Sequence, residues 1–171
     1  MKKNIVLIGM PGAGKSTVGV VLAKITGYRF LDSDLVIQEE TGKLLHEIIS
    51  EKGTEGFLKI ENQINASLQA ENTVIATGGS IIYGKEAMEH LAQIGHIVYL
   101  KLSLSSIEAR LGDLNKRGVA LKEGQGLKEL YEERVPLYEK YAEIVINCEK
   151  KGIRQITEEI AGKFKGKKHG N

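Results

Sequence analysis

Gly9-Met10-Pro11-Gly12-Ala13-Gly14-Lys15-Ser16 decides the reading of this chain, and it follows directly on the apolar run Ile5-Val6-Leu7-Ile8. The eight residues satisfy G-x-x-x-x-G-K-S/T, the phosphate-binding loop pattern. A strand that enters a glycine turn and then a helix aims successive backbone N–H groups, and the positive helix end, at one point. The β- and γ-phosphates of a nucleotide fit such a point. Glycines at 9, 12 and 14 permit backbone angles that a Cβ would forbid. Lys15 has the reach for the β/γ-phosphates and the Ser16 hydroxyl can ligate Mg²⁺, while the amides of Gly12, Ala13, Gly14 and Thr17 complete the cradle. The alternative is a glycine-rich connection that holds nothing, and the strand-then-helix context argues against it.

Outward from the loop, alternation of strands and helices continues to the C-terminus. The unbroken apolar character of Ile5–Ile8 suggests a strand buried on both faces of a parallel sheet. Helix is expected over 15–25, ending at Thr26-Gly27, with a short strand over 28–31. Helices follow over 35–40, 44–50 and 57–70, the last two separated at Lys52-Gly53. Strands are expected over 73–76, 96–102 and 143–147, and helices over 86–94, 105–111, 127–141 and 152–164. Residues 112–126 are polar, contain four glycines and lack a clear period, which predicts a mobile loop. The pattern is α/β: a parallel sheet covered by helices on both faces.

The chain has 171 residues, 42% of them hydrophobic and 27% charged, with a net charge of +2. That suits one soluble domain, expected over 1–164, followed by a flexible basic tail over 165–171. The charge shows no basic stripe, so no nucleic-acid partner is expected. The one cysteine, Cys148, allows no intrachain disulfide, and the N-terminal apolar run is too short for a signal or membrane segment. A cytoplasmic protein without membrane contact follows. His46, His90, His96 and His169 do not fall at zinc-ligand spacing with Cys148.

A second anchor is Asp32-Ser33-Asp34, at the C-terminal end of the expected second strand, the edge where open α/β sheets bind ligands. Strand alternation would put both carboxylates on one side, facing the phosphate loop, one acid for Mg²⁺ and one for a substrate hydroxyl. The competing reading makes one acid the cap of the next helix. A regulatory GTPase is disfavoured, because Asn115-Lys116-Arg117-Gly118 lacks the acid of a guanine-reading Asn-Lys-x-Asp.

With these motifs in place the chain resembles the shikimate kinase family of nucleoside-monophosphate-kinase-like phosphate-loop proteins. Further points of resemblance are Gly53-Thr54-Glu55-Gly56-Phe57 with Glu61, Ala76-Thr77-Gly78-Gly79, Arg110, Arg117 and Glu133-Arg134-Val135-Pro136-Leu137-Tyr138. The resemblance implies a three-layer α/β/α fold with a five-stranded parallel sheet in the order 2-3-1-4-5 and a mobile lid over 112–126. It implies a small-molecule kinase using ATP and Mg²⁺ to phosphorylate shikimate in chorismate and aromatic amino-acid biosynthesis, with a monomer expected. By position, Lys15 and Ser16 would serve ATP and metal, Asp32 the metal, and Asp34 the reacting hydroxyl. Phe57, Gly78, Gly79 and Arg134 would bind the acceptor, Arg134 through its carboxylate. Arg110 would lie against adenine and Arg117 would descend on the phosphates with the lid. Of 24 basic residues five are arginines, and three of those sit at these positions, where a guanidinium fork suits phosphate or carboxylate better than ammonium does.

Three positions depart from the family pattern. Leu58 stands where an arginine usually completes a carboxylate clamp, Ser80 replaces the third glycine of Thr-Gly-Gly-Gly, and Gly118-Val119 follow Arg117 where Pro-Leu is common. Leu58 leaves open a related kinase acting on a different hydroxylated acceptor; intact Lys15, Ser16, Asp32 and Asp34 argue against a non-catalytic nucleotide-binding regulator.

Overall fold

The computed structural model describes residues 2–111 and 124–165. Arg117, most of the expected lid and all but the first residue of the expected tail lie outside them.

Five parallel strands form one sheet: β1 (Asn4–Ile8), β2 (Arg29–Asp32), β3 (Thr73–Ala76), β4 (Gly95–Lys101) and β5 (Ile144–Asn147), in the order β2-β3-β1-β4-β5. Helices α1 (Lys15–Thr26), α2 (Ser33–Thr41), α3 (Leu45–Ala66), α4 (Lys85–Ile94), α5 (Leu104–Arg110), α6 (Leu127–Tyr141) and α7 (Ile153–Phe164) connect and cover them. Every residue of β1 and β3 is buried, whereas the edge strands β2 and β5 are partly open. That gradient explains the unbroken apolar runs at the centre: a strand flanked by strands and covered on both faces has no polar side to offer. Each Ile, Leu or Val so buried contributes about 1.5–3 kcal/mol.

Register brings the functional loops to one edge. Leu7 pairs with Ala76 and Ala76 with Asp32, so the chain leaving β1, β2 and β3 emerges side by side. At the opposite edge Asn4 locks this register. Its side-chain amide donates to the carbonyls of Ala70 (2.8 Å) and Ile94 (3.0 Å), and its Oδ1 accepts from the Thr73 amide (3.0 Å).

Two local expectations are corrected, and one short element is added. The second strand ends at Asp32, and Ser33 already begins α2; Asp34 therefore lies in the first helical turn rather than on a strand. The helices expected over 44–50 and 57–70 form one element, α3, bent at Gly53, whose φ of 72° is a left-handed conformation that L side chains rarely adopt. A short 3₁₀ turn, Ile81–Tyr83, follows the Gly78-Gly79 turn, too brief to leave a periodic signal. Below α2 and α3, Ile37, Ile48 and Phe57 form a small apolar cluster separate from the main core.

Candidate active site

The phosphate loop bridges β1 and α1. Gly9, Gly12 and Gly14 have φ of 154°, 80° and 92°, so the turn follows a path that favours glycine. A β-carbon on Gly12 would come within 3.0 Å of Leu111, and Arg110 Nη1 lies 3.4 Å from the carbonyls of both Gly12 and Ala13. Arg110 is exposed yet turned toward the loop. Lys15 is buried at 8% exposure, and its Nζ donates to the Gly9 (2.7 Å) and Met10 (2.8 Å) carbonyls. Burial pushes its ammonium down to about 8; the carboxylates of Asp34, Asp32 and Glu61 oppose that shift and Arg134 adds to it.

Asp32 caps the next helix and also faces the phosphate loop. Its Oδ1 accepts from the Asp34 amide at 2.9 Å, capping α2, while its Oδ2 accepts from Ser16 Oγ at 3.0 Å. A hydroxyl and a carboxylate paired at the mouth of a phosphate loop form an all-oxygen donor set that fits Mg²⁺, a hard cation that keeps much of its water. Asp34 reaches the same cleft from the opening of α2. Its carboxyl is raised to about 6, chiefly by burial and then by the neighbouring Asp32, with Lys15 pulling the other way.

Lys15, Ser16, Thr17, Asp34, Phe57 and Arg134 line one cleft of about 370 Å³ together with the Thr77–Ser80 turn. Gly78 and Gly79 are spaces as much as residues. A β-carbon on Gly78 would lie 2.7 Å from Asp34 Oδ1 and 3.0 Å from Glu61 Oε2; one on Gly79 would lie 2.8 Å from Pro11 Cδ and 3.0 Å from Arg134 Nη1. Arg134 is 1% exposed, which excludes a solvated helix-surface role. Its guanidinium lies 5.4 Å over the Tyr83 ring. On the next turn of α6, Tyr138 donates its hydroxyl to the Gly79 carbonyl at 2.7 Å.

Leu58 does not line the cleft; it packs against the Ile37–Ile48–Phe57 cluster, and Lys59 faces solvent. Among the described residues, the cations in the cleft wall are Lys15 and Arg134. Glu61 and Ser80 belong to this wall as well, although the sequence had assigned neither a role. Glu61 lies four residues after Phe57 on α3 and so shares its face. A carboxylate one turn beyond a buried aromatic was the available signal. Glu61 is 2% exposed, and burial is the main cause that lifts its carboxyl to about 7, against a lowering hydrogen bond from Ser80.

A buried ammonium on a strand–loop–helix turn, in the field of a carboxylate at the end of another strand of the same parallel sheet, defines a phosphate-loop small-molecule kinase. A shikimate kinase family model matches residues 11–165. The chain belongs to the shikimate kinase family. A shikimate kinase of Sulfurihydrogenibium sp. is 37% identical over 164 residues, covering 95% of this chain and 98% of that one; one from Persephonella marina is 36% identical over the same length. Among solved structures, shikimate kinase from Acinetobacter baumannii in complex with shikimate superposes with a TM-score of 0.85 at 30% identity, covering 99% of this chain and 97% of that one. A deoxyadenosine kinase from M. mycoides, at 18% identity and a TM-score of 0.61, shares the fold.

Proposed function

We propose that this chain transfers the γ-phosphoryl group of ATP to a hydroxyl of shikimate, with the resident residues in the following roles. Lys15 and the amides of Gly12 to Thr17 bind the β- and γ-phosphates, and Arg110 flanks the base. Ser16 and Asp32 hold Mg²⁺, which when bound supplies positive charge to the phosphate oxygens. Arg117, outside the described residues, adds a further cation as the resemblance implies. Arg134 takes the acceptor carboxylate, Phe57 its ring, and the Gly78-Gly79 turn its polar edge.

Asp34 orients the acceptor hydroxyl. With its carboxyl near 6 it is mostly ionised at neutral pH and remains basic enough to accept a proton. As the acceptor oxygen bonds to phosphorus and the bond to ADP breaks, the hydroxyl proton passes to Asp34. Phosphoryl transfer has a loose transition state, so alignment and charge neutralisation are the work required.

The observation that supports this reading is that Lys15, Asp34 and Arg134 line one cleft, with Lys15 in the electrostatic field of both other groups. The enzyme is further proposed to act as a single kinase domain over residues 1–164, monomeric and cytoplasmic, with no nucleic-acid partner. No helix among the described residues is long and apolar enough to cross a membrane. The test is Mg-ATP-dependent ADP release with shikimate against a panel of other hydroxylated acids. Shikimate should give the highest kcat/KM; a higher value for another acid would overturn the acceptor assignment.

A further inference from the structure

Ser80 stands where the family pattern has glycine, and its hydroxyl is spent inside the protein. It is 5% exposed, and its Oγ donates to Glu61 Oε1 at 2.7 Å. That bond joins two walls of the acceptor side: α3, which carries Phe57 and Glu61, and the turn after β3, which carries Gly78 and Gly79. The turn has two other fastenings. Thr77 is tied to the Leu7 carbonyl through its hydroxyl at 2.7 Å, and Tyr138 holds the Gly79 carbonyl from α6. Neither reaches α3. Glu61 Oε2 has no hydrogen-bond donor among the described residues, so Ser80 provides the donor that orients this carboxylate.

We infer that Ser80 is a positioning residue for the acceptor side of the cleft: its hydroxyl aims the Glu61 carboxylate and latches α3 to the Gly78-Gly79 turn. Its effect on catalysis rests on the acceptor-binding role proposed above for that turn, whereas the latch itself does not. The chemistry makes the latch pH-dependent. An ionised Glu61 accepts the Ser80 hydrogen bond strongly, and a protonated one weakly. The groups facing Glu61 are Asp34 from α2, which disfavours its ionisation, and Lys15 and Arg134 from α1 and α6, which favour it. Tyr138 of α6 is also within its field, and Glu86 of α4 is engaged with Asn62 instead.

The experiment follows the Glu61 carboxyl by carbon NMR in the ligand-free protein, assigned by its loss in Glu61→Gln, together with the amides of Gly78 and Gly79. In the native chain the carboxyl and both amides should titrate with one midpoint near 7. Ser80→Ala removes a hydrogen bond to a charged group and should raise the Glu61 midpoint by about one unit and uncouple the two amides. Ser80→Thr keeps the hydroxyl and should restore both. In steady-state assays Ser80→Ala should raise KM for shikimate about tenfold, with a much smaller change in KM for ATP. An unmoved Glu61 midpoint, or amides that follow it equally in Ser80→Ala, would overturn the latch. A shifted midpoint with an unchanged shikimate KM would overturn its positioning role. If the native chain does not phosphorylate shikimate, the acceptor assignment fails by itself, and the NMR titration still decides the latch.

Discussion

Replacing Gly79 by alanine probes the junction of the two half-sites. The added β-carbon would sit 2.8 Å from Pro11 Cδ, 3.0 Å from Pro11 Cγ and 3.0 Å from Arg134 Nη1. The Pro11 ring is fused to the phosphate-loop backbone and cannot rotate away, so the turn must shift to clear it, and the guanidinium, at the end of a long side chain, is displaced as well. Overpacking of this kind costs about 1–3 kcal/mol of stability, or roughly 2–9 °C in Tm for a chain of this size. With Arg134 in its proposed role, displacing it forfeits a charge-assisted hydrogen bond to the acceptor carboxylate, about 1.5–3 kcal/mol, which corresponds to a rise of about 10- to 150-fold in acceptor KM. Coupled measurement of ADP release against shikimate and ATP reads this effect, with thermal denaturation in parallel. KM for ATP should rise less than KM for shikimate. Gly162→Ala on α7, where a β-carbon meets nothing within 4 Å, is the control and should be neutral or stabilising by up to about 1 kcal/mol. A folded Gly79→Ala enzyme with native affinity for shikimate would refute the assignment of Arg134 to the acceptor.

Other outcomes follow from the same geometry. Lys15→Ala should lower kcat by about 10²–10³-fold or more, since it removes the buried cation of the phosphate loop; ADP release under saturating ATP measures it, and a drop below tenfold would contradict the role. Asp34→Asn should depress kcat about 10²–10⁴-fold while leaving ATP affinity, read by calorimetry, nearly intact. Glu61 has a folded-state value of about 7 against an ordinary 4.5. The native state therefore binds more protons than the unfolded one across that window, and this group's contribution to stability falls as pH rises from 4.5 to 7. Glu61→Gln should accordingly gain on the native chain, by on the order of 2 kcal/mol, between pH 5 and pH 8 in denaturant titrations; a pH-independent difference would show that Glu61 does not ionise there. Gly19→Ala places a β-carbon 2.7 Å from Phe30 Cε2 and should destabilise by about 1–3 kcal/mol, visible as a lower Tm.

Much of the architecture could be read along the chain because its determinants are local. The apolar run Ile5–Ile8 announces a central strand, glycines 12 and 14 a phosphate turn, and Gly27 the left-handed end of α1. The Asp32 and Asp34 pair was expected on one side of a strand, and the structure places it across a strand end and a helix start. Period-2 alternation assumed the strand continued, whereas the Asp32 side chain captures the Asp34 amide and starts a helix there. An Asx residue at a strand end can do either, and the outcome depends on where the sheet stops pairing. Arg134 depends on the fold in another way: next to Glu132 and Glu133 on α6, it is buried by packing against Tyr83 and Gly79 from other segments.

The residues by themselves determined the phosphate loop, the alternation of strands and helices and, through the motifs that carry the family resemblance, the order of the strands, because backbone angles and hydrophobic period are properties of short segments. Only the tertiary structure decided that Leu58 turns into a small apolar cluster, that Ser80 spends its hydroxyl on Glu61, and that the cleft wall holds one arginine among the described residues. Those facts depend on which of several helix faces meets the cleft. That choice is made by packing between segments far apart in the chain, where no local rule reaches.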